Sequence, residues 1–308
     1  SLKNVEIGNK VLGIGESAFS DCTSLTGITI PNSVTSIGKN AFANCTSVTN
    51  VYIGSGVTHI WSGAFDSCAG NLTINSNLNT NASSESDGAF CNNKWSNVII
   101  GEGVTSISAC AFYNCSQLKS ITIPQSLNSI GRYAFEGCNN LSIVNVSDLK
   151  SWCEVDIKNY YSSIFSPFYY GAKLYLNNEE VSVLTIPDGV TSIKQGVFRG
   201  CSSITEVIIP DSVTSIEKFA FFSCKSLANV TISNSMKEIV SSLFSNCVSL
   251  ESIVIPQSVT KIGSSAFSAC TSLKSIEIPD SVTSIGRYAF DYCTAIQTAN
   301  FPAATDIG

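Results

Sequence analysis

Apolar and polar positions along the chain follow one phrase: Leu-x-x-Ile-x-Ile-Pro-x-Ser-Val-Thr-Ser-Ile-Gly-x-x-Ala-Phe-x-x-Cys, written out as Leu273, Ile276, Ile278, Pro279, Ser281, Val282, Ile285, Ala289, Phe290 and Cys293. Phe-x-x-Cys elements end on cysteines 22, 45 and 68, then 115 and 138, then 201, 224, 247, 270 and 293, with a 23-residue step inside each group. Self-similarity at a fixed period signals a repeat architecture.

Each part of the phrase predicts an element. Ile-x-Ile, as at Ile28 and Ile30 or Ile253 and Ile255, alternates with period two and predicts a short strand buried on one face. The proline that follows, Pro31, Pro124, Pro187, Pro210, Pro256 or Pro279, lacks an N–H and ends the strand; Gly54 and Gly101 replace it in two coils. Ile37-Gly38 and Ile285-Gly286 mark a second corner. Ala-Phe-x-x-Cys has i, i+3 spacing over barely one turn and predicts a short helical or 3₁₀ turn.

A single unit cannot fold alone. Its seven apolar side chains contribute roughly 10 to 20 kcal/mol on burial, whereas ordering its backbone costs about 1 to 2 kcal/mol for each residue. Coils must therefore stack about 4.8 Å apart, with like residues in ladders. This predicts one solenoid domain over residues 1–308, a β-rich α/β-type repeat fold.

The period breaks twice. After Leu72 and Ile74, residues 75–88 read as a polar loop in a degenerate repeat. Between Cys138 and Phe198, about 40 residues exceed the lattice, and 147–180 read as an insertion. LYLNNEEVSVL within it predicts a β-hairpin about Asn177 and Asn178.

On these residues the chain resembles the BspA-type leucine-rich repeat family, whose 23-residue unit carries the same Leu-x-x-Ile-x-Ile-Pro start and Ala-Phe-x-x-Cys ending. The insertion, with its Trp-Cys pair, Tyr-Tyr and Leu-Tyr-Leu-Asn-Asn, resembles one that recurs in that family. The resemblance implies a right-handed solenoid with a parallel sheet on its concave side. It also implies a secreted or surface-attached bacterial protein and adhesion to host or matrix proteins or between cells. The repeat pattern already runs through Leu2, Val5 and Ile7, so an export signal and an anchor are expected outside this sequence.

Composition narrows the function. A net charge of -6 and singly scattered Lys and Arg provide no basic stripe for a phosphate backbone, which argues against nucleic acid. No apolar run is long enough to span a bilayer as a helix. Thirteen cysteines invite disulfides or a metal. Their period argues against both, because parallel stacking holds Cβ atoms farther apart than a disulfide takes and no C-x-x-C pair exists. A ladder of reduced, buried thiols is expected, with Cys110 and Cys153 least tied to the lattice. His59, the only histidine, occupies the slot of Ser36 and Ser284 and predicts a surface residue. Glu154 and Asp156 alternate like a carboxylate pair but lack a partner set. No catalytic residue, cofactor or metal is assigned, and a non-enzyme is expected.

Two contact surfaces are candidates. In the insertion, Trp152, Tyr160, Tyr161, Tyr169 and Tyr170 either plug the broken core or offer a protein or glycan contact. On the strands, the outward file includes Tyr52, Ile99, Thr122, Ile208, Val254 and Glu277, which either express β-propensity or form a binding face. The reading is an extracellular module with a concave repeat surface for a protein partner (host, matrix or another cell surface), a glycan being the other candidate. The alternative is a rigid spacer without a ligand.

Overall fold

The computed structural model describes residues 2–78, 88–158, 166–300 and 306–307. The chain forms two compact units, Ser1–Ser147 with Ile157–Tyr170, and Asp148–Asp156 with Gly171–Gly308. Each is a stack of coils, a leucine-rich repeat β-solenoid.

In the first unit the Ile-x-Ile segments pair in parallel: Gly27–Ile30, Asn50–Ile53, Ala69–Ile74, Lys94–Ile100, Ser120–Ile123 and Ile143–Val146. Their inward residues, Ile28, Val51, Leu72, Val98, Ile121 and Val144, form one ladder. Ile30, Ile53, Ile74, Ile100, Ile123 and Val146 form another, and none of the twelve is more than 3% exposed. In the second unit Val183–Thr185, Glu206–Ile208, Asn229–Thr231 and Ser252–Ile253 pair likewise, as do Ser275–Glu277 and Thr298–Asn300. Two-residue strands at the second corner, such as Ser36–Ile37 against His59–Ile60, form a separate ladder.

The Ala-Phe-x-x-Cys phrase takes the i→i−3 bond of a 3₁₀ turn at every second residue only. Ala41, Ala43 and Cys45 donate to the carbonyls of Gly38, Asn40 and Phe42, three residues back. Asn40, Phe42 and Asn44 donate instead to Ser62, Ala64 and Asp66 of the next coil. A continuous helix would keep all these donors to itself and leave neighbouring coils unbonded. The alternation requires left-handed backbone at two sites per coil, as at Asn40 (φ 55) and Asn44 (φ 61). Asn tolerates that region better than most residues.

Inside this bend lie the two side chains that the phrase never omits lightly. Phenylalanine rings stack coil on coil: Phe19, Phe42 and Phe65 lie 5.1 and 5.5 Å apart within 7° of parallel. Phe198, Phe221, Phe244, Phe267 and Phe290 continue the pattern in the second unit at 5.3 to 5.8 Å. In successive coils the cysteine thiol donates to a phenylalanine carbonyl of the preceding coil, as Cys45 to Phe19, Cys138 to Phe112, Cys224 to Phe198 and Cys247 to Phe221, all at 3.2 Å. A small apolar residue with a weak donor is what that position needs.

The degenerate repeat keeps its place by two substitutions. Ser96 is an extra residue opposite Gly70, and the resulting bulge turns Trp95 inward, edge-on to Phe65 and Phe90 at 6.3 and 6.4 Å. Gly70 has φ +94, and a Cβ there would lie 2.2 Å from the Thr49 carbonyl oxygen, so only glycine serves. Leu78 takes the slot of Val57. A small cavity lined by Ile74, Ser76, Leu78, Phe90, Ile100 and Phe112 remains. Ser76 is 4% exposed, and its hydroxyl has no hydrogen-bond partner. Ser76→Ala is therefore expected to stabilise the first unit by about 1 kcal/mol, the desolvation penalty of an unpaired hydroxyl. Thermal unfolding checks this: a lower midpoint would mean that the hydroxyl is satisfied.

The insertion contributes a short helix, Leu149–Cys153, capped by Asp148, whose carboxylate accepts the Ser151 N–H at 2.7 Å. The hairpin joins Lys173–Leu176 to Glu179–Glu180 in antiparallel register. Asn177 (φ 51) and Asn178 (φ 73) form its two-residue turn, where asparagine is favoured.

Candidate functional site: the strand face

Residues between the buried positions of each strand face outward. In the first unit Thr29, Tyr52, Thr73, Ile99 and Thr122 are successive register partners, a file crossing five strands. Tyr52 is 42% and Ile99 47% exposed, while Thr73 and Thr122 are half-buried beside them. Large apolar and small hydroxyl side chains thus alternate strand by strand.

Two residues upstream runs a second file that the sequence reading passed over. Asn71 donates through Nδ2 to Oδ1 of Asn50 at 2.9 Å, Asn97 donates to Oδ1 of Asn71 at 2.7 Å, and the Ser120 hydroxyl donates to Oδ1 of Asn97 at 2.7 Å. This is an exposed amide ladder. Two residues fewer between Cys68 and Asn71 than between Cys45 and Asn50, and three more between Asn71 and Asn97 than the period allows, make the spacings 21 and 26 and hide the file from the 23-residue pattern.

In the second unit Thr185, Ile208 and Thr231 are register partners, and Val254 bridges Glu277. Val254 is 81% exposed and Glu277 is exposed. Ile208 is only half-buried rather than open, so its share in any contact surface is smaller than its neighbours'. Asn145, the register partner of Thr122 on the next strand, is covered, at 8% exposure.

The insertion aromatics divide. Trp152 is 2% exposed in its helix, which corrects its assignment to a contact surface: with Leu149 and Cys153 it covers core. Tyr169 and Tyr170, 38% and 37% exposed, meet edge-to-face at 5.0 Å. The Tyr170 hydroxyl accepts the Gly137 N–H at 3.0 Å and so fastens its ring to the neighbouring coil. Tyr160 and Tyr161 lie outside the described residues.

Other exposed aromatics escaped the pattern because they replace small residues at turn positions. Trp61, 59% exposed, stands in the slot of Gly38; Tyr288 and Tyr292, 64% and 72% exposed, have φ 61 and 56. The Arg199 guanidinium lies over the Phe222 ring at 4.6 Å. Lys194–Glu217, Lys261–Glu238 and Lys274–Glu251 are ion pairs of 2.8 to 3.2 Å, each linking adjacent coils of the second unit.

None of the thirteen cysteines forms a disulfide, Cys110 and Cys153 included. Burial raises the pKa of Cys68, Cys138, Cys153 and Cys247 to about 12. His59 is exposed, with Nδ1 3.0 Å from the Thr58 hydroxyl. Among the described residues no group of three His, Cys, Asp or Glu side chains converges as a metal site would require, and no helix is long and apolar enough to cross a membrane.

Comparison with known proteins agrees with this lattice. The sequence model of the BspA type leucine rich repeat region matches residues 1–85, 83–166 and 169–306. A leucine-rich repeat protein from Bacteroides ovatus is 26% identical with a TM-score of 0.57, over 99% of this chain and 82% of that one. A leucine rich cell surface protein from Faecalibacterium prausnitzii is 28% identical with a TM-score of 0.49, over 94% and 83%. The pneumococcal vaccine antigen PcpA is 20% identical with a TM-score of 0.53, over 96% and 77%, and shares the fold. No curated protein matches. Matched along nearly its whole length, the chain belongs to the BspA-type leucine-rich repeat family.

Proposed function

We propose that the protein is a non-catalytic binding module of the bacterial cell surface or its surroundings, and that its strand faces engage a macromolecule in adhesion. One observation carries this reading. Tyr52 and Ile99 in the first unit and Val254 in the second, at 42, 47 and 81% exposure, hold large side chains open to water, where Thr elsewhere meets the same strand preference. Repeat stacks present extended surfaces suited to large partners. Membership of the BspA-type family supports the location. Buried thiols with raised pKa are the reverse of activated nucleophiles, which supports the non-catalytic part.

The test is a fourfold variant, Tyr52→Ser, Ile99→Ser, Ile208→Ser and Val254→Ser, measured for binding to immobilised matrix proteins, polysaccharides and whole cells. Tyr52, Ile99 and Val254 are open to water and Ile208 is half-buried, so the unfolding midpoint should fall little and any fall should come from Ile208→Ser. Binding should weaken by about tenfold or more, as expected when exposed contact anchors are removed. Unchanged binding would move the contact surface off the strands.

A further inference from the structure

We infer that the strand face of the first unit binds a neutral, linear β-1,4-linked glycan lying across the strands; this deepens the binding reading above and rests on it. Three features of the face select this ligand.

The first is charge. On the four strands from Asn50 to Ile123 the two files, Asn50 and Tyr52, Asn71 and Thr73, Asn97 and Ile99, Ser120 and Thr122, hold no group ionisable near neutrality, in a chain with net charge -6; the one charged side chain of these strands is Lys94, exposed three residues upstream of Asn97 and outside both files. A neutral face discriminates against charged partners, because it would desolvate their charges without pairing them.

The second is the amide ladder. Asn71 uses one N–H and one lone pair on its neighbours in the file. A carboxamide has two donors and about two acceptor sites, so a donor and an acceptor remain for a ligand while the side chain is already held in place. Hydroxyl groups, each both donor and acceptor, match such a row; a carboxylate or a phosphate does not.

The third is spacing. Neighbouring strands lie about 4.8 Å apart, and an extended β-1,4-linked glycan advances one ring over nearly the same distance, with successive rings turned over. Its full repeat then covers two strands. So does the face, where Tyr52 and Ile99 alternate with Thr73 and Thr122. Every second ring can lay its C–H face on an apolar side chain while its neighbour meets a hydroxyl. An extended peptide advances about 6.7 Å for each two residues and falls out of step after a single strand.

Affinity gel electrophoresis and titration calorimetry of the purified chain test the assignment, with cellohexaose, chitohexaose and xylohexaose as neutral β-1,4-linked probes. Maltohexaose, neutral but α-linked, and polygalacturonate, acidic, are the comparisons. At least one β-1,4-linked probe should bind, and both comparisons should bind at least about tenfold more weakly. Tyr52→Ala and Thr73→Asp should each weaken binding by about tenfold, whereas Thr231→Asp in the second unit should not. Circular dichroism confirms that each variant is folded, and the exposure of Tyr52 makes its replacement the safer of the two.

Failure of every β-1,4-linked probe, equal binding of maltohexaose, or indifference to Tyr52→Ala would overturn the glycan assignment. If glycans fail but a protein is bound through Tyr52 and Ile99, the binding face stands and its ligand is a protein. If no ligand responds to either residue, both readings fall.

Discussion

Between about pH 9 and pH 11 the protein is expected to lose stability steeply, and its cysteines should be the cause. An ordinary thiol titrates near 9, whereas burial holds Cys68 and Cys138 of the first unit at about 12 and raises Cys115 further. The folded state keeps these protons above pH 9 while the unfolded chain gives them up. With fewer protons on the unfolded state, stability falls as pH rises, and the fall continues until the folded thiols themselves ionise. Each thiol contributes about 1.4 kcal/mol per pH unit, so three give about 4 kcal/mol per unit, set against a total stability of about 5–15 kcal/mol for a typical domain. Urea midpoints from pH 7 to 11 measure the slope. A variant carrying Cys68→Ala, Cys115→Ala and Cys138→Ala should be weaker at pH 7 yet lose stability more slowly above pH 9. Parallel slopes for the two proteins would assign the alkaline transition to tyrosine or lysine. The same burial predicts that a thiol reagent at pH 8 labels the eleven buried cysteines of the native chain slowly, Cys22 and Cys293 sooner, and all thirteen in denaturant.

The period was readable because stacking makes it so: a ladder position must hold a like side chain in each coil, and Phe42 and Phe65, or Cys45 and Cys68, announce themselves 23 residues apart. What the lattice does with the Ala-Phe-x-x-Cys phrase was less legible. Its i, i+3 spacing suits a helical turn, but Phe42 gives its N–H to Ala64 of the next coil. A single repeat says nothing about which donors leave the coil. The hairpin was legible for the opposite reason, since Asn177 and Asn178 write a local turn.

The degenerate coil shows where pattern matching fails. Cys91 lies 23 residues after Cys68 and looks in register, yet Phe90 is the residue that joins the ring stack, and Asn93 takes the place three residues after it. Trp95, reached through the bulge at Ser96, fills the space. A sequence count sees spacing, while the core selects volume. The strand face was partly legible. Tyr52, Ile99 and Val254 stand out as large residues at outward positions, but Trp152 shares their composition and is buried. The amide ladder was invisible because its members are joined by register, which the bulge shifts, and by side-chain hydrogen bonds.

Phe244→Ala is expected to cost about 3 to 5 kcal/mol, the range for emptying a fully buried phenylalanine site. Phe244 is 0% exposed and has ring neighbours on both sides, Phe221 at 5.8 Å and Phe267 at 5.7 Å. Its loss opens a void that neither neighbour can close, because each is held by its own coil's backbone ladder, and it removes two stacked contacts of about 0.5 to 1.5 kcal/mol each. The comparison that gives the number meaning is Phe290→Ala. Phe290 is half-buried and, among the described residues, has a stacked ring on one side, at 5.5 Å, so its removal should cost about half as much. Phe222, half-exposed beneath Arg199, lies outside the stack, and Phe222→Ala should cost about 1 kcal/mol. Urea unfolding of the three variants ranks them. Stability in a stack of coils is a sum over neighbours, so the central ring must matter most; equal losses at Phe244 and Phe290 would mean that each coil buries its own phenylalanine independently.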